Sequence, residues 1–220
     1  MGIYEFAGCV VSYEPLYGLL RRRMETYRSD TERQPDITLD GTKEDYEKLR
    51  KQYPHLSIEE CEYSCAGAEF YMKLLKHQGF MIHASAVEKE GKAYLFSTPS
   101  GTGKSTHAQL WRQTFKGEPI RIINDDKPAV CLQNGVFYAC GTPFSGKTDK
   151  NENRKAPIQG LCMLHRGKTN KIQKITSGEA LPLILPQTLF YGDEEETNLL
   201  LSFLDRFLQS VPVYKMECTM

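Results

Sequence analysis

The stretch "STPSGTGKST", residues 97 to 106, sets two glycines beside a lysine and a pair of hydroxyls. Backbone N–H groups of such a loop can wrap phosphates, a lysine can reach the terminal phosphates, and a hydroxyl can ligate magnesium. Gly103, Lys104 and Ser105 fit the second half of the G-x-x-x-x-G-K-[ST] pattern, while Thr98 stands where its first glycine belongs. Pro99 fixes one backbone angle and Gly101 and Gly103 supply free positions on either side of Thr102, so the chain can still curl its amides around an anion. The "STHAQLW" that follows adds the positive end of a helix to the charge of Lys104.

A magnesium–triphosphate site also needs a carboxylate at the end of a neighbouring strand. "IRIINDDKPAV" offers one, an apolar strand from Ile120 that ends in Asn124, Asp125 and Asp126. Two adjacent aspartates can divide the work, one on magnesium and the other accepting a proton from an attacking hydroxyl. His83, in "MIHASAV", precedes the loop by one hairpin and can orient or tune one of them if the sheet brings it near. A second loop, "CGTPFSGKTDKNENRK", gathers Ser145, Lys147, Lys150, Arg154 and Lys155, cations that can neutralise transition-state charge or hold an anionic acceptor.

The elements that must position these groups follow from periodicity. "SIEECEYSCAGAEFYMKLLKHQG" reads as a helix opened by a Ser57/Glu60 capping box and stopped at Gly79. From Phe80 the pattern turns to short β-rich runs, "FMIHASAVEK" and "KAYLFS" about a turn at Gly91, leading into the loop. Strand, loop, helix and the strand "PIRIIN" give βαβ order. "PAVCLQNGVFYACGTP" is a hairpin turning at Asn134-Gly135, and "APIQGLCMLHRG" with "NKIQKIT" reads as two more paired strands. Ser177 opens "SGEALPLILPQTLF", a helical "TNLLLSFLDRFLQS" follows, and "VPVYKMECTM" closes the chain as a strand. Before residue 80 lie an apolar "YEFAGCVVSY", an amphipathic "PLYGLLRRRMETY", a short strand "PDITL" and a polar stretch over 28–54. The expected fold class is α/β, a mixed-sheet core over 80–220 with a small α+β layer over 1–79 that can dock an acceptor; Tyr17 and Arg21 to Arg23 could grip it, though a charged helix face is the commoner reading of such residues.

Lysine plus arginine and aspartate plus glutamate number 28 each among 220 residues, so no global field steers the chain toward nucleic acid or an anionic membrane. No apolar run reaches the roughly 18 to 20 residues that span a bilayer. Seven cysteines in apolar or helical settings, with no signal-peptide pattern before them, point to a reduced cytoplasmic compartment. Cys61 and Cys65 lie one helical turn apart but lack further ligands, which favours packing over metal.

The set "HASAV … STPSGTGKST … NDD" resembles the catalytic domain of HPr kinase/phosphorylase over roughly residues 80 to 150, and more distantly the core of phosphoenolpyruvate carboxykinase. It looks closer still to the small HPr kinase-related proteins of peptide-modifying gene clusters, lasso-peptide kinases among them, where a G-T-P-x-S-G-K segment also occurs. The resemblance implies ATP and Mg2+ as donor and cofactor. Ser100, Gly101, Thr102, Gly103, Lys104, Ser105 and Thr106 would hold the phosphates, with Ser105 and Asp126 on magnesium, Asp125 as base and His83 beside it. Ser145, Gly146, Lys147 and Arg154 would serve the substrate. The chain departs from HPr kinases at Thr106, where they usually carry an acidic residue, and lacks the later loop that engages HPr.

These features make the leading expectation a serine-type kinase moving the γ-phosphoryl group to a hydroxyl of a small protein, a peptide or a small molecule. A nucleotide-binding regulator without turnover and a carboxykinase-like metabolic enzyme are the alternatives. HPr kinases form hexamers, and a homo-oligomer is left open here because no residue carries that assembly over.

Overall fold

A computed structural model describes residues 1–99, 101, 103–115, 117–189 and 193–219. Near the start, Gly2–Phe6 (β1) and Cys9–Tyr13 (β2) form a hairpin about Ala7-Gly8, both at positive φ, and Ile37–Thr38 (β3) lies parallel to β2. Helix α1 (Gly18–Met24) runs into a 3₁₀ turn that buries Tyr27. Two helices follow, α2 (Lys43–Gln52) and α3 (Ile58–Leu74), each opened by a capping box, Thr42/Asp45 and Ser57/Glu60. The Ser57 box and the helix expected behind it are present. α2 was not evident in the polar stretch, because Tyr46 is the residue it buries.

The main sheet takes in β4 (Gly79–Met81), β5 (Ala84–Lys89), β6 (Lys92–Ser97), β7 (Arg121–Asn124), β8 (Ala129–Gln133), β9 (Val136–Cys140), β10 (Lys155–Arg166), β11 (Lys171–Ile175) and β12 (Val213–Cys218). Its order among the described residues is β4-β8-β9-β10-β6-β5-β7, with β12 on the far half of β10 and β11 on β12. The sheet is mixed: β6 and β12 lie parallel to β10, while β5 is antiparallel to both β6 and β7. Two expectations need correction. The strand before the glycine loop and the strand before the aspartates are parallel but have β5 between them, and β11 pairs with β12 rather than with β10. The β12 segment arrives from the chain's end and takes the edge of β10 that sequence order would assign to β11.

Strand alternation explains the layers. Ala93 and Leu95 of β6, Val130 and Leu132 of β8, and Phe137 and Ala139 of β9 face one core, which α5 (Ser177–Ile184) and α6 (Glu194–Ser210) cover with Ile184, Leu200, Phe203, Leu204 and Phe207. Thr176 rather than Ser177 caps α5, paired with Glu179. On the opposite face, Val87 and Phe96 pack under α4 (Lys104–Thr114) through Ala108, with Trp111 against Tyr94 and Phe96. Ala129, Cys131 and Cys140 instead meet the first-layer residues Phe6, Phe70 and Tyr71. The layer before residue 80 therefore shares a core with the sheet. Phe144, fully buried, stacks on Phe70 at 5.8 Å and also touches the rings of Phe6, Tyr63 and Tyr71. Among the described residues no helix is long and apolar enough to cross a membrane.

Candidate active site

A cleft of about 980 Å³ opens between the N-terminus of α4 and the first layer, beyond the carboxyl ends of β6 and β7. Crevices outside the carboxyl ends of strands are where open α/β sheets bind ligands. Gly101, Gly103, Lys104, Ser105 and Thr106 form one wall, Asp125, Asp126 and Lys127 the floor, and Ser145 to Thr148 another wall. The first layer closes it with Leu19, Arg23, Leu56, Glu60, Tyr63 and Ser64. Ser100 and Thr102, assigned to the phosphate loop from sequence, lie outside the described residues.

Gly101 and Gly103 have φ of +79° and +116°, and a Cβ built at either would meet nothing within 4 Å. Their glycine requirement is therefore conformational, and the space around them stays open. Gly103 is the N-cap of α4, which has no acidic residue in its first turn, so the helix supplies no carboxylate of its own to its first N–H groups. Thr98 is buried and its Oγ1 has no hydrogen-bond partner among the described residues.

β5 supplies what joins the loop to the aspartates. Alternation along "HASAV" puts Ala84 and Ala86 into the α5/α6 core and turns Ser85 and Val87 to the α4 face. His83 Nε2 lies 2.6 Å from Lys104 Nζ and 3.3 Å from Asp126 Oδ1, and its Nδ1 lies 3.0 Å from Gln187 Oε1. Lys104 Nζ and Asp126 Oδ1 thus both meet Nε2 while the Gln187 side-chain oxygen meets Nδ1, with donor and acceptor roles at the ring set by its tautomer. Gln187 also accepts the His83 backbone N–H at 2.6 Å. The 3₁₀ turn after α5 thus orients the ring, a role without local sequence signal.

The two aspartates sit in different surroundings. Asp125 is 2% exposed; Ser85 Oγ donates to its Oδ1 at 2.7 Å and Thr148 Oγ1 donates to its Oδ2 at 2.9 Å. Asp126 faces three cationic or basic groups, with Lys104 Nζ 3.8 Å and Lys127 Nζ 3.7 Å from its carboxylate. Burial raises the Asp126 pKa, but the surrounding His83, Lys127 and Lys104 outweigh it and hold the carboxyl below the usual range. Burial lowers the Lys104 pKa, and Asp126 and Asp125 offset that only in part.

Asn124, fully buried, holds the floor in shape. Its Oδ1 accepts the N–H groups of Asp126 and Lys127, at 3.0 and 2.8 Å, and its Nδ2 donates to Thr142 O and Oγ1, both at 3.1 Å. One side chain therefore makes the acidic turn and ties it to the 141–150 loop.

Of the residues expected on that loop, Ser145, Gly146 and Lys147 line the cleft. The Ser145 hydroxyl is fully buried and braces the loop, donating to Asp149 and accepting from Asn151. Gly146 stands at φ +69°, where a Cβ would come within 2.7 Å of Asp126. Its N–H donates to Tyr63 Oη at 2.9 Å and its carbonyl accepts Arg23 Nη2 at 2.8 Å. Arg23 lies over the Tyr63 ring, 4.8 Å from its centroid, and pairs with Asp149 at 3.0 Å. Of the arginine cluster noted in sequence, Arg23 reaches the cleft while Arg21 donates to the carbonyls of Pro15 and Leu16. Arg154 is not brought to this cleft. Its guanidinium makes a bidentate pair with Glu88 at 2.6 and 2.9 Å and lines a separate groove beside Phe6 and Cys140. Ser85, Tyr63, Lys127, Thr148 and Gln187 were not singled out from sequence; the alternation of "HASAV" could have found Ser85, and the others depend on tertiary contacts.

No family model matches the chain, and no curated protein matches it. Among solved structures it is similar to the HPr(Ser) kinase/phosphatase from Coxiella burnetii, at 10% identity over 64% of this chain and 85% of that one, with a TM-score of 0.36. A likeness this distant carries no functional argument, and what the cleft can do follows from its own geometry.

Proposed function

We propose that the protein is a phosphotransferase that moves the γ-phosphoryl group of ATP to a hydroxyl, most plainly a serine or threonine of a small protein or peptide. The observation that carries this reading is the convergence, in one cleft, of a helix N-terminus bearing Lys104 and Ser105 with two adjacent aspartates in opposite environments. The amides at Gly101 and Gly103 and the Lys104 ammonium take the phosphates of the nucleotide, whose negative charge replaces Asp126 as the partner of Lys104. Magnesium, where bound, neutralises charge on those phosphates, and the residues fitted to hold it are Ser105 and Asp126, a carboxylate that its neighbours keep ionised. His83, fixed by Gln187, positions Lys104 and Asp126 relative to each other.

Asp125 accepts the proton of the attacking hydroxyl. Its Oδ2 already takes a hydrogen bond from a hydroxyl at 2.9 Å, within the reach a general base requires. Lys147 and Lys127 add positive charge around the transferring group. The acceptor enters along the first-layer wall, where Leu19, Leu56, Tyr63 and Ser64 offer mixed apolar and polar contact.

The test is transfer from labelled ATP with magnesium to a panel of HPr, candidate peptides and free serine, comparing wild type with Asp125→Asn. Transfer falls by about 10²- to 10⁴-fold in the variant while nucleotide binding persists. Full activity in Asp125→Asn refutes the assigned base, and ATP that is bound but never consumed favours a regulator.

A further inference from the structure

We propose that Thr148 is an autophosphorylation site, its hydroxyl standing in the place that an acceptor hydroxyl takes. The inference rests on the phosphotransferase reading above. Among the described residues two side-chain hydroxyls contact the Asp125 carboxylate, Ser85 on Oδ1 and Thr148 on Oδ2. Ser85 is fully buried, whereas Thr148 is exposed on the cleft wall that faces Lys104 and Ser105. The other nearby hydroxyl on that loop, Ser145, is fully buried and committed to Asp149 and Asn151.

The segment that carries Thr148 is built to present it. Gly146 at φ +69° and Asp149 at φ +52° bracket a tight turn, and Arg23 clamps both ends through the Gly146 carbonyl and the Asp149 carboxylate. In the transfer, the Thr148 oxygen forms a bond to the γ-phosphorus of a nucleoside triphosphate and the bond from that phosphorus to the bridging oxygen breaks. The hydroxyl proton passes to Asp125 Oδ2, and the nucleoside diphosphate leaves with the electron pair. The new group carries about −1.5 to −2 charge next to Asp125 and Asp126, so like-charge repulsion drives the modified turn off the floor of the cleft. Lys147 and Lys150 flank the site and can pair with the phosphate once it has moved. Until then an external acceptor must displace Thr148 to reach the base.

The experiment incubates the full chain with magnesium and ATP and no acceptor, then maps phosphate by intact mass and peptide fragmentation. Nucleotide binding by calorimetric titration and transfer to an added acceptor panel are followed in parallel. The expected result is one phosphoryl group per chain, on Thr148, at a rate independent of protein concentration. It is lost in Thr148→Val and Asp125→Asn and retained in Thr148→Ser, which keeps the hydroxyl. Wild type that binds nucleotide or labels an added acceptor while Thr148 stays unmodified overturns this inference and leaves the phosphotransferase reading standing. A chain that neither binds nucleotide nor transfers phosphate overturns both. A rate that scales with protein concentration overturns the placement of Thr148 at its own chain's base.

Discussion

Replacing Gly146 by alanine isolates how the 141–150 loop seats on the acidic turn. Two costs act there. The residue sits at φ +69°, where an alanine is strained by about 1–2 kcal/mol. The added Cβ would also lie 2.7 Å from Asp126 Oδ2 and 2.8 Å from its Cβ and Cγ, closer than packed atoms approach. A Cβ is tied to the backbone, so the clash is not relieved by rotating the carboxylate alone. Either Asp126 shifts, against the 3.0 Å bond from its N–H to Asn124, or the turn lifts and loses the bonds to Tyr63 and Arg23. Losing one neutral and one charge-assisted hydrogen bond costs about 2–4 kcal/mol. Gly91 supplies the control: its φ is +72°, and a Cβ there meets nothing within 4 Å. The backbone strain of the two alanines is therefore nearly the same, and their difference in urea-unfolding free energy reports the contact with Asp126. Gly146→Ala is expected to lose about 2 kcal/mol or more beyond Gly91→Ala, and to lower phosphoryl transfer at least about tenfold as Asp126 is displaced. Equal losses in the two variants, within about 0.5 kcal/mol, would show that the loop does not rest on Asp126 as described.

Asp126, whose pKa is held below the ordinary aspartate value, stabilises the fold by an amount fully present above that ordinary value and lost as the pH falls through the depressed one. Urea midpoints followed from neutral pH down through the carboxylate range should show this acid arm in wild type and a flatter one in Asp126→Asn; identical profiles would sink the assignment. Arg154→Met removes the bidentate partner of Glu88, which is 8% exposed, and is expected to cost about 1–2 kcal/mol after allowance for a guanidinium about a third open to solvent. Phosphoryl transfer per folded molecule stays within about twofold, and a collapse of transfer at unchanged stability would return Arg154 to the cleft.

What could be read from sequence was what depends on neighbours along the chain. The Ser57/Glu60 box opens α3 as expected because a cap is a local hydrogen-bond pattern, and the glycines with Lys104 mark the start of α4 for the same reason; the stop expected at Gly79 is displaced, since α3 ends at Leu74, Gln78 at positive φ closes the 3₁₀ turn behind it, and Gly79 already belongs to β4. The aspartates at the end of β7 were visible as an apolar strand ending in charge. Pairing was not visible: β12 enters beside β10 from the end of the chain, and β5 separates β6 from β7, since strand order is settled by which faces bury together rather than by order of synthesis. α2 escaped because a helix that buries one tyrosine has almost no apolar stripe to betray it. At the site, Thr148 and Gln187 come from segments far from the residues they contact, and Arg154 meets Glu88 across the sheet, so local spacing held no information about any of them.

The 12-residue strand β10 holds β9 along its first residues and β6 and β12 along the rest, while Phe144 ties the loop wall to α3. Both walls of the cleft are therefore mounted on one continuous girder rather than on two separate halves. The parts of the cleft left to adjust to a ligand are short segments, the turn from Ser145 to Asp149 and the glycines ahead of α4, and loop adjustments of that size are faster and smaller than the swings of whole domains. For the phosphoryl transfer proposed above, a cleft built this way gives up the water-tight enclosure that domain closure provides, and leakage of phosphate to solvent would measure how well those two segments keep their place.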